Sequence, residues 1–284
     1  MTYQITDCRG LFPEQLCAAT NAAFSDYVVP TKMSEDGFRE FQRQRGFSPA
    51  HSFVAWSGKK IAAFWYSSPP NPAYGNRAYT LSVGTDPAHR RKGLSRQLLQ
   101  SVIKAQTASK ASGLQLEVIT NNSRAVEAYR SFGFCEQRTL RVCKLPKSAL
   151  EVPMPEGWSV APLALDAVPG DTTSYFDVLP TPQNSLGALT ALADQISVLG
   201  LRRNGELIGW GAVYKDGAVA QIAVHKGHRR QGGGTALLRA LGASVKVDHL
   251  VFVNVDEVAR GLNAFLDRFA AETLLQQYEM QLIL

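Results

Sequence analysis

The sequence predicts an α/β (α+β) fold made of two tandem copies of one small domain, and three observations carry that expectation. A basic stretch running into glycine occurs twice, as His89-Arg90-Arg91-Lys92-Gly93-Leu94-Ser95 and as His228-Arg229-Arg230-Gln231-Gly232-Gly233-Gly234. Each copy follows an apolar, strand-like run (79–85 and 219–224) and precedes apolar residues at helical spacing: Leu98, Leu99, Val102 and Ile103 in the first, Leu237, Leu238 and Leu241 in the second. Upstream of each lies the pattern of a two-strand hairpin. The 284 residues leave room for two domains of that kind.

Taken in order, the first copy opens with a helical region from about residue 13 to 44. Residues 53–56, a turn at Gly58 and residues 61–66 read as a hairpin. The third strand, the basic-glycine turn and a helix follow, then a short strand at 114–119 that leads into a second helical pattern. In the second copy a stretch with Pro and Thr, 172–183, stands where the first has helix. Its hairpin joins 198–201 to 207–214 through Asn204-Gly205, a strong two-residue turn signal, and its later strand spans 250–254. Pro146, Pro153 and Pro155 cluster in a segment without periodicity, which sets domains at 1–147 and 156–284 with a linker at 148–155. The segments that differ, those ahead of each hairpin, are expected to form the substrate-facing wall.

Composition narrows the function. Hydrophobic residues at 45% and charged residues at 19% suit an ordinary globular core. No apolar run is long enough for a membrane helix and the first seven residues lack a signal-peptide profile, so a cytoplasmic protein that does not act on membranes is expected. Cys8, Cys17, Cys135 and Cys143 show no metal-binding or redox spacing and read as reduced packing residues, with no metal site. A net charge of +6 suits a polyanionic ligand, yet the basic residues are scattered and form no nucleic-acid-binding module. A phosphorylated small molecule is therefore expected rather than nucleic acid.

The turn itself has a defined chemistry. The first turn of a helix leaves backbone N–H groups unpaired, and they carry fractional positive charge. Small residues at 93, 95, 232, 233 and 234 let phosphate approach that backbone, with Arg and Lys at its flank. The pattern reads as a pyrophosphate seat. Neither turn has the Gly-Lys-Ser/Thr ending of a P-loop, and hairpins precede the turns where a dinucleotide-binding fold would have a βαβ unit.

With these residues the chain resembles a tandem member of the GNAT N-acetyltransferase superfamily, whose acetyl-CoA motif is (Arg/Gln)-x-x-Gly-x-(Gly/Ala). Arg229–Gly234 fits in full, and 90–95 fits with Ser95 in the last place. The first copy continues the likeness through Leu116-Glu117-Val118-Ile119, Asn122, Ala125, Tyr129 and Gly133-Phe134. The likeness covers 50–145 well and 195–284 more loosely. It implies a mixed, mostly antiparallel, V-splayed sheet flanked by helices in each copy, with acetyl-CoA as cosubstrate in the cleft. The implied reaction is acetyl transfer to a primary amine of a small molecule or peptide.

The same resemblance implies the site residues. Arg90, Arg91, Lys92, Gly93, Leu94 and Ser95 would hold the diphosphate in the first copy, and Arg229, Arg230, Gly232, Gly233, Gly234 and Thr235 in the second. Val83 and Thr85, with Val224 in the second copy, would offer backbone groups to the pantetheine arm, and Asn122 would contact it, although helix capping alone explains an Asn there. Tyr129 takes the place of a general acid, or else packs as a core tyrosine. Glu117 alternates away from Leu116 and Val118 and reads as general base, as a ligand for a cationic substrate, or as an ordinary strand carboxylate. Phe265 falls where Tyr129 would be and has no proton to give, so the first copy takes the chemistry and the second the fuller phosphate loop. His225 and His228 beside the second turn read either as acid/base groups or as merely exposed residues. Phe24, Tyr27, Phe38, Phe41, Trp65 and Tyr66 read either as core or as part of an acceptor pocket, with Pro30 in the same cleft-lining segment. The alternatives are an active second copy, or a chain that binds acyl-CoA without turning it over.

Overall fold

The structure, a computed structural model, describes residues 2–26, 32–151, 153 and 155–284. Tyr27 and Pro30, and Val152 and Met154 of the expected linker, lie outside the described residues. The chain runs β1 (Gln4–Asp7), α1 (Pro13–Ala23), α2 (Glu35–Arg45), β2 (Phe53–Ser57), β3 (Lys60–Asn71), β4 (Arg77–Thr85), α3 (Leu94–Ala108), β5 (Gly113–Ile119), α4 (Ser123–Ser131) and β6 (Cys135–Pro146). It continues with β7 (Ser159–Pro162), α5 (Leu186–Ala191), β8 (Ile196–Arg203), β9 (Glu206–Tyr214), β10 (Ala218–Val224), α6 (Gly233–Ser244), β11 (His249–Asp256), α7 (Arg260–Arg268) and β12 (Glu272–Ile283). Every strand and helix expected after the hairpins recurs in both copies. The helical region expected at 13–44 is two helices. The Pro- and Thr-containing stretch of the second copy forms only a short 3₁₀ turn, Pro182–Asn184. Among the described residues no helix is long and apolar enough to cross a membrane.

Two compact units form. The first holds Met1–Glu117, Arg124–Gln137 and Met280–Leu284; the second holds Val118–Ser123 and Arg138–Glu279. These units are not the contiguous spans 1–147 and 156–284. Most of β6 counts with the second unit, where it pairs antiparallel with β11 from Leu140↔Asp256 to Pro146↔His249. The last residues of β12 count with the first unit, where the Leu284 N–H donates to the Ser112 carbonyl at 3.1 Å.

In the first unit the strand order is β1-β2-β3-β4-β5. Gly58, at φ 60°, turns the β2–β3 hairpin. Strands β4 and β5 pair in parallel over only three positions, Arg77↔Gly113, Ala78↔Leu114 and Tyr79↔Gln115, and then part. One face packs Leu16, Phe38, Phe64, Tyr66 and Tyr79 under α1 and α2. In the second unit the order is β12-β6-β11-β10-β9-β8-β7, with most of β12 counted there. Asn204 and Gly205 both take positive φ, 52° and 85°, as a tight hairpin turn between β8 and β9 demands. Strands β10 and β11 pair in parallel at Ala218↔Val251 and Val219↔Phe252, and then part as well. The core there gathers Leu237, Leu238 and Leu241 of α6 with Leu250 and Phe252 of β11.

Candidate active site

Both basic-glycine turns fold into the same backbone. Arg91 and Arg230 take φ of 61° and 62°, and Gly93 and Gly232, the residues that open α3 and α6, take 72° and 90°. The glycines are there because the left-handed region costs any other residue about 1–2 kcal/mol. Asp86 and His225 hold the approach to each turn: the Asp86 carboxylate accepts from the Ala88 N–H at 2.9 Å, and His225 Nδ1 from the Gly227 N–H at 3.2 Å.

The surroundings differ. Around Gly93 a Cβ would meet nothing nearer than Gln97 Nε2 at 3.9 Å, and Arg91 and Lys92 are exposed. Leu94 turns inward to the core and Ser95 is half-buried. A Cβ on Gly232 would lie 2.7 Å from Pro155 Cβ, and one on Gly233 2.9 Å from Leu201 Cδ2 and 3.2 Å from the Trp158 ring. The Trp158 indole N–H donates to the Gln231 carbonyl at 2.8 Å. Gly232 and Gly233 thus have a packing reason, and Gly233 faces core, whereas a Cβ on Gly234, the glycine that completes the motif, would meet the Phe265 ring only at 3.5 Å.

The first arginine of each turn is committed to a clamp. Arg90 Nε donates to the Thr85 carbonyl at 3.2 Å, its Nη1 to Asp26 Oδ2 at 2.7 Å and its Nη2 to the Ala23 carbonyl at 3.0 Å. Arg229 repeats the pattern on Val224 (3.1 Å), Asp177 Oδ2 (2.7 Å) and the Tyr175 carbonyl (2.6 Å). The Arg90 guanidinium holds the Asp26 carboxyl below the usual carboxylate range. Both side chains tie the segment ahead of the hairpin to the end of the strand before the turn, so a part for Arg90 and Arg229 in a phosphate site would rest on their backbone. The sequence assigned no partner to Asp26, seen only as part of the cleft-lining segment, and Asp177 went unread; an Asp in each of those segments was the available signal.

Glu117 stands where β4 and β5 begin to part. Tyr79 Oη donates to its Oε2 at 2.5 Å, and Tyr79 is only 5% exposed. Burial first, and then the charge of Glu117, push the Tyr79 hydroxyl well above its ordinary pKa, so it keeps its proton and donates. Tyr129 on α4 is half-buried and meets Trp65 and Phe134 edge-on, with ring centroids 6.1 and 5.7 Å away. Val83 and Thr85 pair with Trp65 and Ala63 of β3, and the Thr85 carbonyl is already taken by Arg90. Asn122 is half-buried in the turn before α4, its N–H donating to the Ile119 carbonyl at 2.9 Å. Phe38, Trp65 and Tyr66 show 0% exposure and pack as core, which removes them from any acceptor pocket; Phe24 and Phe41 are half-buried.

The second copy lacks this set. Its register sets Ala218 against Val251 as Tyr79 is set against Gln115, so Ala218 replaces Tyr79 and Val253 replaces Glu117. Phe265 lies beside Gly234, whose Cβ position is 3.5 Å from the ring. The unit nevertheless holds a cavity of about 850 Å³, lined in part by Val224, Arg229, Arg230, Gly232, Gly234 and Thr235. The acidic groups in reach are already engaged. Arg138 donates to Asp256 Oδ2 at 3.0 Å, to Glu279 Oε2 at 2.7 Å and to the Leu179 carbonyl at 3.0 Å.

A model of the acetyltransferase (GNAT) family matches residues 16–134 and again 169–267. The chain belongs to the GNAT acetyltransferase family. Mycothiol acetyltransferase of Catenulispora acidiphila is 30% identical over 115 residues, 39% of this chain, and the match spans 37% of that relative's length. Among solved structures, a tandem GNAT protein from the clavulanic acid biosynthesis pathway superposes with a TM-score of 0.72 at 14% identity, over 99% of this chain and 98% of that one. A GCN5-related N-acetyltransferase from Sphaerobacter thermophilus gives 0.72 and 14%, over 99% and 95%. At such identity the likeness is one of fold, and it runs over nearly the whole length of each chain.

Proposed function

We propose that this GNAT protein transfers the acetyl group of acetyl-CoA to a primary amine of a small molecule or peptide, and that the first copy performs the chemistry. One observation carries the assignment: the Tyr79–Glu117 pair at the parting of β4 and β5, and Tyr129 on the helix that follows, are replaced in the second copy by Ala218, Val253 and Phe265.

The residues of the first turn fit a diphosphate. Arg91 and Gly93 in left-handed conformation orient successive N–H groups, and the space beside Gly93 is open. When bound, acetyl-CoA supplies an activated thioester. Glu117 accepts the proton that the attacking amine gives up as its nitrogen bonds to the acetyl carbon. The Tyr129 hydroxyl gives a proton to the departing sulfur, and solvent restores it. Each role is of the kind that contributes about 10²–10⁴-fold.

The test is thiol release from acetyl-CoA over a panel of amines. Glu117→Gln is expected to lower kcat by at least about 10²-fold, and Tyr129→Phe by about 10–10²-fold. Full activity in both variants, or no turnover by the unaltered protein with any amine, would overturn the assignment. The cavity of the second unit favours one further reading, in which that copy holds acyl-CoA without reacting it. Calorimetry with CoA distinguishes the two, giving two sites per chain if this holds and one if it does not.

A further inference from the structure

We infer that Tyr79 is a positioning residue for the proton-accepting carboxylate, holding Glu117 ionised at the point where β4 and β5 separate, and that the charge of Arg45 acts on Tyr79 in turn. This rests on Glu117 being the base.

The buried Tyr79 hydroxyl donates to Glu117 Oε2 at 2.5 Å. A hydroxyl bonded to a carboxylate is about twice as strong as a neutral pair, and it favours the charged acceptor. From α2, the positive charge of the Arg45 guanidinium works against the rise in the Tyr79 pKa. Arg45 is itself steadied by lying over the Phe41 ring, 4.6 Å from its centroid, and by donating to Gln44 Oε1 at 2.7 Å. Among the described residues, the titratable and charged groups facing this point include Tyr79 from β4 and Arg45 from α2. On β5 itself the next residue on that face, Gln115, is engaged by Arg77 Nε at 3.3 Å.

Two features separate this role from plain packing. The ring of Tyr79 already belongs to the apolar cluster with Phe38, Phe64 and Tyr66, so packing explains the ring and leaves the hydroxyl to be explained. In the second copy both partners are missing together, Ala218 for Tyr79 and Val253 for Glu117. A tyrosine kept only as core filler has no reason to vanish along with a carboxylate on the neighbouring strand.

The experiment is the pH dependence of kcat, measured with one acceptor in every variant so that the acceptor's own titration cancels. Tyr79→Phe keeps the ring and removes the donor. Its acid limb is expected to move up by about one pH unit, because the charged carboxylate has lost a hydrogen bond. Arg45→Gln should move the limb the same way by less, and it reads the same point should Tyr79→Phe fold poorly. An acid limb that stays in place in both variants, while Glu117→Gln abolishes turnover, overturns the role of Tyr79 and leaves the base assignment intact. Unaltered turnover in Glu117→Gln removes the base assignment itself.

Discussion

In the first copy the glycine that opens α3 stands in open space, whereas in the second its counterpart is walled by Pro155 and its neighbour by Trp158 and Leu201. The two turns share φ angles, the same arginine clamp and the same helix behind them. What separates them is the parting strands beyond. The first copy keeps a tyrosine–glutamate pair there, and the second keeps a roomy cavity whose carboxylates, Asp177 and Asp256, are bound to Arg229 and Arg138. A glycine motif therefore reports a backbone conformation, and that conformation is kept where the tyrosine–glutamate pair is absent. The copy with the fuller motif is the one without that pair.

The largest effect that tests this contrast is catalytic. Glu117→Gln should remove at least about 10²-fold of kcat, while Phe265→Tyr, which returns a hydroxyl to the second copy without a base, should not rescue turnover in that background. Rescue would place chemistry in the second copy. Next comes stability. Gly232→Ala meets both a left-handed backbone and the Pro155 ring and should cost about 2–4 kcal/mol, against about 1–2 kcal/mol for Gly93→Ala, where only the backbone objects. Denaturant melts measure both; equal costs would mean that the walls of the second turn yield freely. Gly93→Ala should also raise the KM for acetyl-CoA several-fold.

Smaller effects concern the clamps. Arg90→Lys loses the fork that spans Asp26 and two carbonyls, and should raise the acceptor KM about 3–10-fold with little change in the KM for acetyl-CoA. The smallest is a pH effect on stability. Asp26 is held below its ordinary range, so its pair with Arg90 stabilises the fold above about pH 4, the ordinary carboxylate value, and is lost as pH falls through the lowered one. The gap in melting temperature between the protein and Asp26→Asn should close in acid. A gap that persists there would assign the Asp26 effect to packing.

Much of this was legible in the sequence because it is local. Apolar spacing and turn residues marked the hairpins, the helices and the repeat, and the family pattern pointed to Glu117 and Tyr129. The edge strands β1 and β7 escaped notice because four residues carry too little periodicity. Tyr79 escaped because only the register of β4 on β5 brings its hydroxyl to Glu117, and register is set by the whole sheet. Arg90 and Arg229 were read as loose charge around a phosphate because their aspartate partners lie 64 and 52 positions earlier in the chain. Phe38, Trp65 and Tyr66 left the acceptor pocket for a related reason: an aromatic on a strand shows its face only once the opposite layer is known.

The exchange of terminal strands has a consequence for how the duplication can be taken apart. The start of β5 lies so close to the chain's end that a methyl group on Gly113 would sit 2.3 Å from the Leu282 carbonyl oxygen. β6, encoded before the linker, borders β11, encoded after it. A gene severed at residues 148–155 would yield one piece short of its closing residues and another with a bare sheet edge. Each half of the chain is therefore expected to need residues encoded in the other to complete its sheet.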